Sequence, residues 1–362
     1  MKILLVRGSP RKSGYTNRIT DIVARGALRA GAELVDIDLA RADVNECTGC
    51  CGCLPASSGT CIFEDDMTRL LGILLESDIL LCSTPLYHYG MSSCLKRFFE
   101  RTLPVTMGTS EQTGSGFIRN GVRYPKVWKN KGVGYISAGA LPGTENFDGL
   151  RETFRALARG LEMTLCAALE RPEAYLLSFE QGRPRKLKAV TTGLEQAGLQ
   201  LAQSGRVSEE TQTQVSIQLA RDAEQFMMYS EVYWRKSAEL GPRAQDLDAV
   251  RDAVLSDMDL VLAEMAECFD PSSAGRLEAR VQFTFTDTEK EYGLIIEKGT
   301  CRIVTGSVGN PDMEIACETS TWSEVFRRSI DMRKALAQRR LVITGDKTIL
   351  LKFEKLFPPP QE

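Results

Sequence analysis

The chain has one histidine among 362 residues and almost no net charge, with 45 Lys and Arg against 48 Asp and Glu. These shortages are informative. Without a basic excess there is no surface suited to a polyanion, so nucleic acid is not an expected partner. No apolar run approaches the roughly 20 residues that span a bilayer, so no transmembrane segment is expected. The opening MKILLVRGSP is too short an apolar run for a signal peptide and has no small-residue cleavage site. The expected location is cytoplasmic, where thiols stay reduced and a disulfide framework is disfavoured. In that compartment, closely spaced cysteines point to metal or redox chemistry. Five of the 11 cysteines crowd into NECTGCCGCLPASSGTCIFEDD, residues 45–66.

The length predicts two or three domains. Up to about residue 170, short β-rich runs (KILLVRG, ELVDIDL, DILLCSTP, KGVGYISAG) alternate with helical stretches (TNRITDIVARGALRAG, MTRLLGILLES, SSCLKRFFERTL, NFDGLRETFRALARGLE). That alternation predicts an α/β domain, a parallel sheet covered on both faces. Residues 181–242 read as a polar helical connector, with a helix start at Ser208 and a break at Gly241 and Pro242. The segment 243–362 opens with a helix, DLDAVRDAVLSDMDLVLAEMAECF, and turns into a β-rich meander, an α+β pattern with a short frayed tail, FPPPQE.

GSPRKSGYTNR follows the first strand and opens the first helix. Ligands of open parallel sheets sit outside the carboxyl ends of the strands, and a phosphate there meets free N–H groups and the positive end of a helix dipole. Ser9, Arg11, Ser13, Thr16 and Asn17 can add hydrogen bonds and charge; the pattern is neither GxGxxG nor a P-loop, and a polar turn that binds nothing is the bland alternative. A second loop at a strand end, Pro85, Leu86, Tyr87, His88, Tyr89, Gly90 and Met91, suits a flat aromatic ligand, with Gly90 allowing close backbone approach. A third opens with Ser137, Ala138 and Gly139. His88 is the candidate catalytic residue, a proton donor to the bound ligand or its reaction partner, or else an exposed loop residue.

GSPR with Thr16, the C..C..C segment running to DDM, and TPLY…MS…LKRF.ER resemble the NADPH-dependent FMN reductase family over roughly residues 1–170. The resemblance implies a flavodoxin-like doubly wound domain over 1–180, with FMN as cofactor. It implies phosphate on Ser9, Arg11, Ser13, Thr16 and Asn17, and an 85–91 loop lining the ribityl chain and ring. One departure is Tyr15, where that family often has asparagine. NAD(P)H would be a transient donor stacked on the flavin, with a ferredoxin as the alternative donor. A homo-oligomer is also expected.

Cys47, Cys50 and Cys53 are spaced CxxCxxC, and Cys61 follows. Four thiolates satisfy a [4Fe–4S] cluster, and one compact loop can wrap it. A zinc site and a set of plain or redox-switching thiols are the alternatives. The segment, ending at Asp65, Asp66 and Met67, looks like that of the iron–sulfur flavoproteins. Cys51 is surplus, and the other six cysteines sit in apolar elements as core residues.

The end of the chain, with GLIIEKGTCRIV, PDMEI, Trp322 opening a helix, ITGD and LLKFEKLF, resembles the sterol carrier protein type-two family over about 245–358. That resemblance implies an apolar tunnel for lipid or another hydrophobic ligand; Ser329 and Arg340 stand where the family commonly has glycine. Phe283, Phe285, Trp322, Phe326 and Leu336 would line such a cavity or simply fill a core. Two functions follow. One is an FMN oxidoreductase passing electrons to a small-molecule acceptor, hydrophobic and quinone-like. The other is a hydrophobic-ligand carrier with a redox-sensing or non-catalytic first domain.

Overall fold

The computed structural model describes residues 1–358 apart from Ala56, Ser115, Gln181 and Gly182. The chain forms two compact units, Met1–Leu177 with Arg185–Ala220, and Ser178–Pro184 with Arg221–Glu362. The connector expected over 181–242 is therefore shared out between the two. Its expected start falls at Gln181, which with Gly182 lies outside the described residues, as does most of the FPPPQE tail.

In the first unit, β1 (Lys2–Arg7) leads to α1 (Tyr15–Arg29) and β2 (Glu33–Asp38); α2 (Met67–Glu76) follows the cysteine loop and precedes β3 (Ile79–Pro85) and α3 (Ser93–Glu100). A hairpin, β4 (Thr106–Gln112) and β5 (Ile118–Val122), and a helical turn α4 (Pro125–Trp128) come before β6 (Gly132–Ala138), α5 (Asp148–Leu161) and β7 (Thr164–Arg171). The strands β2-β1-β3-β6-β7 form one sheet in that order, every pair parallel. This is the flavodoxin-like order, with the hairpin inserted before the fourth strand of the sheet; the order reverses between β1 and β3. Both β3 and β6 are buried along their whole length, because helices cover both faces of a parallel sheet. That explains why they read as unbroken apolar runs rather than alternating ones.

Two helices from the expected connector complete this unit: α6 (Pro184–Ser204) and α7 (Glu209–Ser216). A Cβ on Gly198 would lie 1.9 Å from the Val23 carbonyl oxygen, and one on Gly26 would lie 2.2 Å from that of Glu195. Glycine at both positions is what lets α6 cross α1 backbone to backbone. Meanwhile α7 covers the free edge of β7. The Ala168 N–H donates to Gln212 Oε1 (2.9 Å), Val207 N–H to Cys166 O (2.9 Å) and Ser216 Oγ to Glu170 O (2.8 Å). An edge strand with its polar groups satisfied this way does not template pairing with another chain.

The second unit contains α8 (Ala223–Leu240), α9 (Leu247–Leu255), α10 (Met258–Glu267) and the turn α11 (Pro271–Ala274). Its strands are β8 (Ala279–Phe285), β9 (Glu291–Glu297), β10 (Thr300–Thr305), β11 (Met313–Cys317) and β12 (Leu341–Gly345). Helices α12 (Thr319–Phe326), α13 (Met332–Ala337) and α14 (Lys347–Leu356) complete it. The sheet order is β10-β9-β8-β11-β12. The expected meander holds for β8–β9–β10, whose last turn puts Lys298 and Gly299 at positive φ. It then fails: β11 crosses over to run parallel to β8. Two helices read as continuous are broken. The stretch after Ser208 is interrupted before Asp222, which caps Gln225 N–H, and the stretch 247–268 before Asp257, which caps Leu260 N–H. An aspartate favours a cap over a helix interior because its carboxylate competes for backbone N–H groups.

Candidate functional site

The three loops expected to bind a ligand lie together at the carboxyl ends of β1, β3 and β6. Gly8 N–H donates to Ser83 O (2.7 Å), and Ser92 Oγ, the N-cap of α3, donates to Gly8 O (2.6 Å). A Cβ on Gly8 would lie 2.9 Å from both Leu95 Cβ and Ser92 Oγ, so only glycine fits there. Leu86 N–H donates to Ala138 O (2.9 Å), joining the second loop to the third.

Around the first loop, Ser9, Thr16 and Asn17 are buried, whereas Arg11 and Ser13 are exposed. The N-cap of α1 is Gly14, so no side chain caps the helix and its first-turn N–H groups point into the loop. Asn17 has a use beyond the expected one. Its amide nitrogen donates to Arg11 O (2.9 Å) and Lys12 O (3.2 Å), curling the loop, and leaves Oδ1 buried without a partner among the described residues. Buried Ser137 Oγ is orphaned likewise. Unpaired buried polar atoms are costly unless a ligand satisfies them. An uncapped helix start, a ring of hydroxyls and two orphaned groups fit a phosphorylated, hydroxyl-bearing molecule such as FMN.

In the second loop Pro85 is buried, Leu86, Gly90 and Met91 are half-buried, and Tyr87, His88 and Tyr89 are exposed. Tyr87 and Gly90 exchange backbone hydrogen bonds of 3.1 and 2.9 Å across a tight turn, whose central residues His88 (φ 45°) and Tyr89 (φ 63°) are left-handed. That geometry favours Asn-Gly, and bulky residues there carry strain of about 1 kcal/mol or more each. The expected role of Gly90 shifts accordingly. Its φ is not positive, and a Cβ on it would meet nothing closer than 3.8 Å, so the backbone there is open. In the third loop Ala138 and Gly139 are buried, and a Cβ on Gly139 would lie 2.9 Å from the Phe147 ring.

The cysteine loop is anchored by residues to which the sequence reading gave no role. Arg101, at the C-cap of α3 and 2% exposed, donates to Asp65 Oδ2 (2.6 Å), Asp65 Oδ1 (3.0 Å) and Asn45 O (2.8 Å). Burial works against the Asp65 charge, but the hydrogen bonds from Arg101, Asn45 and Met67 outweigh it and hold the carboxyl well below the usual carboxylate range. Burial and Asp65 act on Arg101 in the same opposed way, and next to them the Cys61 sulfur raises its pKa further. From the hairpin side, Arg123 Nη2 donates to Pro55 O (2.6 Å) and Cys53 O (3.2 Å), and Gly108 N–H to Leu54 O (2.9 Å).

Cys53 is buried, Cys47 and Cys61 half-buried, and Cys50 exposed. Burial, and then the proximity of Cys61, Cys50 and Cys47, raises the Cys53 thiol pKa, so these four sulfurs are electrostatic neighbours. Cys51 stands apart: its thiol donates to Gly49 O (3.3 Å) and its backbone is left-handed (φ 58°). Among the described residues no three His, Cys, Asp or Glu groups are gathered tightly enough to hold one metal ion. A four-iron cube carries its thiolates on separate irons and spaces them more widely than one ion does. Arg101 Nε is also buried with no partner among the described residues. A spare donor on a guanidinium that interacts with Cys61 fits an acceptor of the sulfide or thiolate kind.

In the second unit Phe283, Phe285 and Trp322 are buried and pack on each other, with centroids 4.8 Å apart for Phe283–Trp322 and 6.2 Å for Phe283–Phe285. Phe326 and Leu336 pack half-buried against the same core. Trp322 Nε1 is buried there without an acceptor among the described residues. No helix among the described residues is long and apolar enough to cross a membrane.

Comparison with known proteins agrees with both halves of this description. Residues 1–168 match the family model of NADPH-dependent FMN reductases, and residues 267–358 that of the SCP-2 sterol transfer family. An iron–sulfur flavoprotein of Archaeoglobus fulgidus is 29% identical over 167 residues, 42% of this chain and 75% of that one. A second from the same organism is 30% identical over 140 residues, 38% of this chain and 65% of that one. An iron–sulfur flavoprotein of Methanocaldococcus jannaschii is 32% identical over 108 residues, 30% of this chain and 55% of that one. The chain thus spans between about half and three quarters of the length of these relatives. The class the first domain defines is a flavin-dependent reductase. More particularly, it is an NADPH-dependent FMN reductase domain similar to iron–sulfur flavoproteins, and it is joined to an SCP-2 domain.

Proposed function

We propose that the protein is an FMN-dependent oxidoreductase that takes electrons from NAD(P)H, or from a ferredoxin-type donor, and passes them to a small acceptor. The observation that carries this is the convergence of three strand-end loops around an uncapped helix start. FMN, when bound, supplies hydride and one-electron chemistry. The chain's own residues do the rest. The first-turn N–H groups of α1 with Ser9 and Thr16 hold the phosphate, assisted by Arg11 and Ser13, and Asn17 keeps the loop curled. Ser137 offers a buried hydroxyl, and the 85–91 loop lines the ring with Tyr87 and Tyr89. His88, exposed at the tip of the turn, is the candidate proton donor to the acceptor.

Cys47, Cys50, Cys53 and Cys61 would hold a [4Fe–4S] cluster as a one-electron port; their CxxCxxC spacing with Cys61 on the same loop and the spare Arg101 donor support it. The acceptor is hydrophobic and quinone-like. Trp322 Nε1, a buried donor without an acceptor, suits the carbonyl of such a molecule in the SCP-2 domain. The test is NADPH and NADH oxidation by the FMN-loaded protein, with and without a soluble quinone. Quinone-dependent oxidation supports the reading. Retained flavin with no turnover from either nucleotide or from reduced ferredoxin contradicts it, and lipid co-purifying with such inactive protein would favour the carrier function.

A further inference from the structure

Resting on the cluster reading above, we propose that the buried Asp65–Arg101 pair is a positioning and potential-setting device for the four-thiolate site, acting through Cys61. Three observations meet here. First, the pair is out of water: the side chains of Arg101 and Asp65 are 1% and 0% exposed, with a closest contact of 2.6 Å. Its field is therefore little screened. Second, Arg101 spans the two walls of the cysteine loop. One amino group donates to Asn45 O on the entering segment, and the guanidinium is fixed to Asp65 on the leaving segment, stacked 4.9 Å from the Phe63 ring. Third, the guanidinium retains one buried donor, Nε, without a partner among the described residues, and Cys61 is a sulfur whose charge and hydrogen bonding act on it.

A thiolate-ligated group gains one electron on reduction, with no bond made or broken, and becomes more negative. A guanidinium at its edge stabilises the reduced form and raises the potential; the paired carboxylate opposes this. Hydrogen bonds to the sulfurs act in the same direction as the guanidinium. The two residues are thus opposed levers. Removing the Arg101 charge lowers the potential, and removing the Asp65 charge raises it. Loss of a merely structural ion pair would loosen the loop in the same way from either side.

The test is an EPR-monitored redox titration with dithionite of anaerobically purified protein, with iron and sulfide assayed on each sample. Arg101→Gln is expected to lower the potential by about 59 mV, a tenfold shift in a one-electron equilibrium. Asp65→Asn is expected to raise it by a similar factor, and Arg101→Lys to fall between Arg101→Gln and the unaltered protein. If either charge-removing variant fails to hold iron, the double variant Asp65→Asn/Arg101→Gln, which leaves no buried charge unpaired, takes its place. It is expected to keep iron and to return toward the original potential. Shifts of the same sign or unmoved potentials in iron-loaded single variants, or a double variant displaced from the original potential by more than about 59 mV, overturn this inference alone. Absence of iron from the unaltered protein overturns the cluster reading and this inference with it.

Discussion

Replacing Ser9 and Thr16 together by alanine removes two hydroxyls that are 5% and 4% exposed beside the uncapped start of α1. Neither change touches the backbone N–H groups, and Thr20 Oγ1 still finds the residue-16 carbonyl. Apart from one long bond within the loop, Ser9 Oγ to Arg11 O (3.3 Å), the loss is confined to hydrogen bonds with the ligand. A hydrogen bond to a charged group contributes about 1.5–3 kcal/mol, and at this depth water cannot replace it. Two such bonds to one phosphate are coupled rather than additive, so a combined loss of about 3–4 kcal/mol is reasonable. That corresponds to a weakening of FMN binding by roughly 100- to 1,000-fold. The assay is quenching of flavin fluorescence on titrating apoprotein, run in parallel with riboflavin, which has the same ring and chain but no phosphate. FMN affinity should collapse toward that of riboflavin, while riboflavin affinity stays within a few-fold of its original value. Unchanged FMN binding, or an equal loss for both flavins, would refute the phosphate assignment.

Three further outcomes are expected. Cys47→Ser, Cys50→Ser, Cys53→Ser and Cys61→Ser should each lose iron and keep FMN, whereas Cys51→Ser, whose thiol bonds to Gly49 O, should keep both; iron retained in all five contradicts the ligand set. Gly198→Ala would drive a methyl group to 1.9 Å from Val23 O. It should destabilise the first unit by about 3 kcal/mol despite alanine's better helix propensity, measured by denaturant unfolding; a neutral result would mean that α6 does not cross α1 so closely. Asp65 has a depressed pKa, so its stabilising contribution is complete above the ordinary carboxylate value of about 3.9 and drains away as pH falls below it. The stability gap between the unaltered protein and Asp65→Asn should accordingly be largest near neutrality and narrow on acidification. A gap independent of pH would contradict the pairing.

The parallel strands were legible because burial on both faces writes a continuous apolar run, as in ILLCSTP over β3. The hairpin Thr106–Val122 was not, since β4 is mostly exposed and TMGTSEQ carries no period-two apolar pattern. The role of α7 was also hidden: a polar helix that satisfies a strand edge through Gln212 and Ser216 looks the same in sequence as one that faces water. At the site, glycine and hydroxyl residues in a strand-to-helix turn gave away the phosphate loop. Spacing gave away Cys47, Cys50, Cys53 and Cys61. Arg101 and Asp65 lie 36 residues apart, and only the fold brings them into contact. Both sit inside motifs the sequence displays, ER at the end of α3 and DDM before α2. A buried charge that must find an opposite partner is the signal that could have linked them.

The most direct test of the account is the absorption spectrum of protein purified without oxygen, with iron and acid-labile sulfide assayed on the same sample. The account predicts two flavin bands on a broad brown shoulder, with about four irons per chain, as expected for one cube. A yellow flavin spectrum without iron would leave the reductase standing and reduce residues 47–61 to thiols. A colourless protein that fails to take up FMN would contradict the account at its centre.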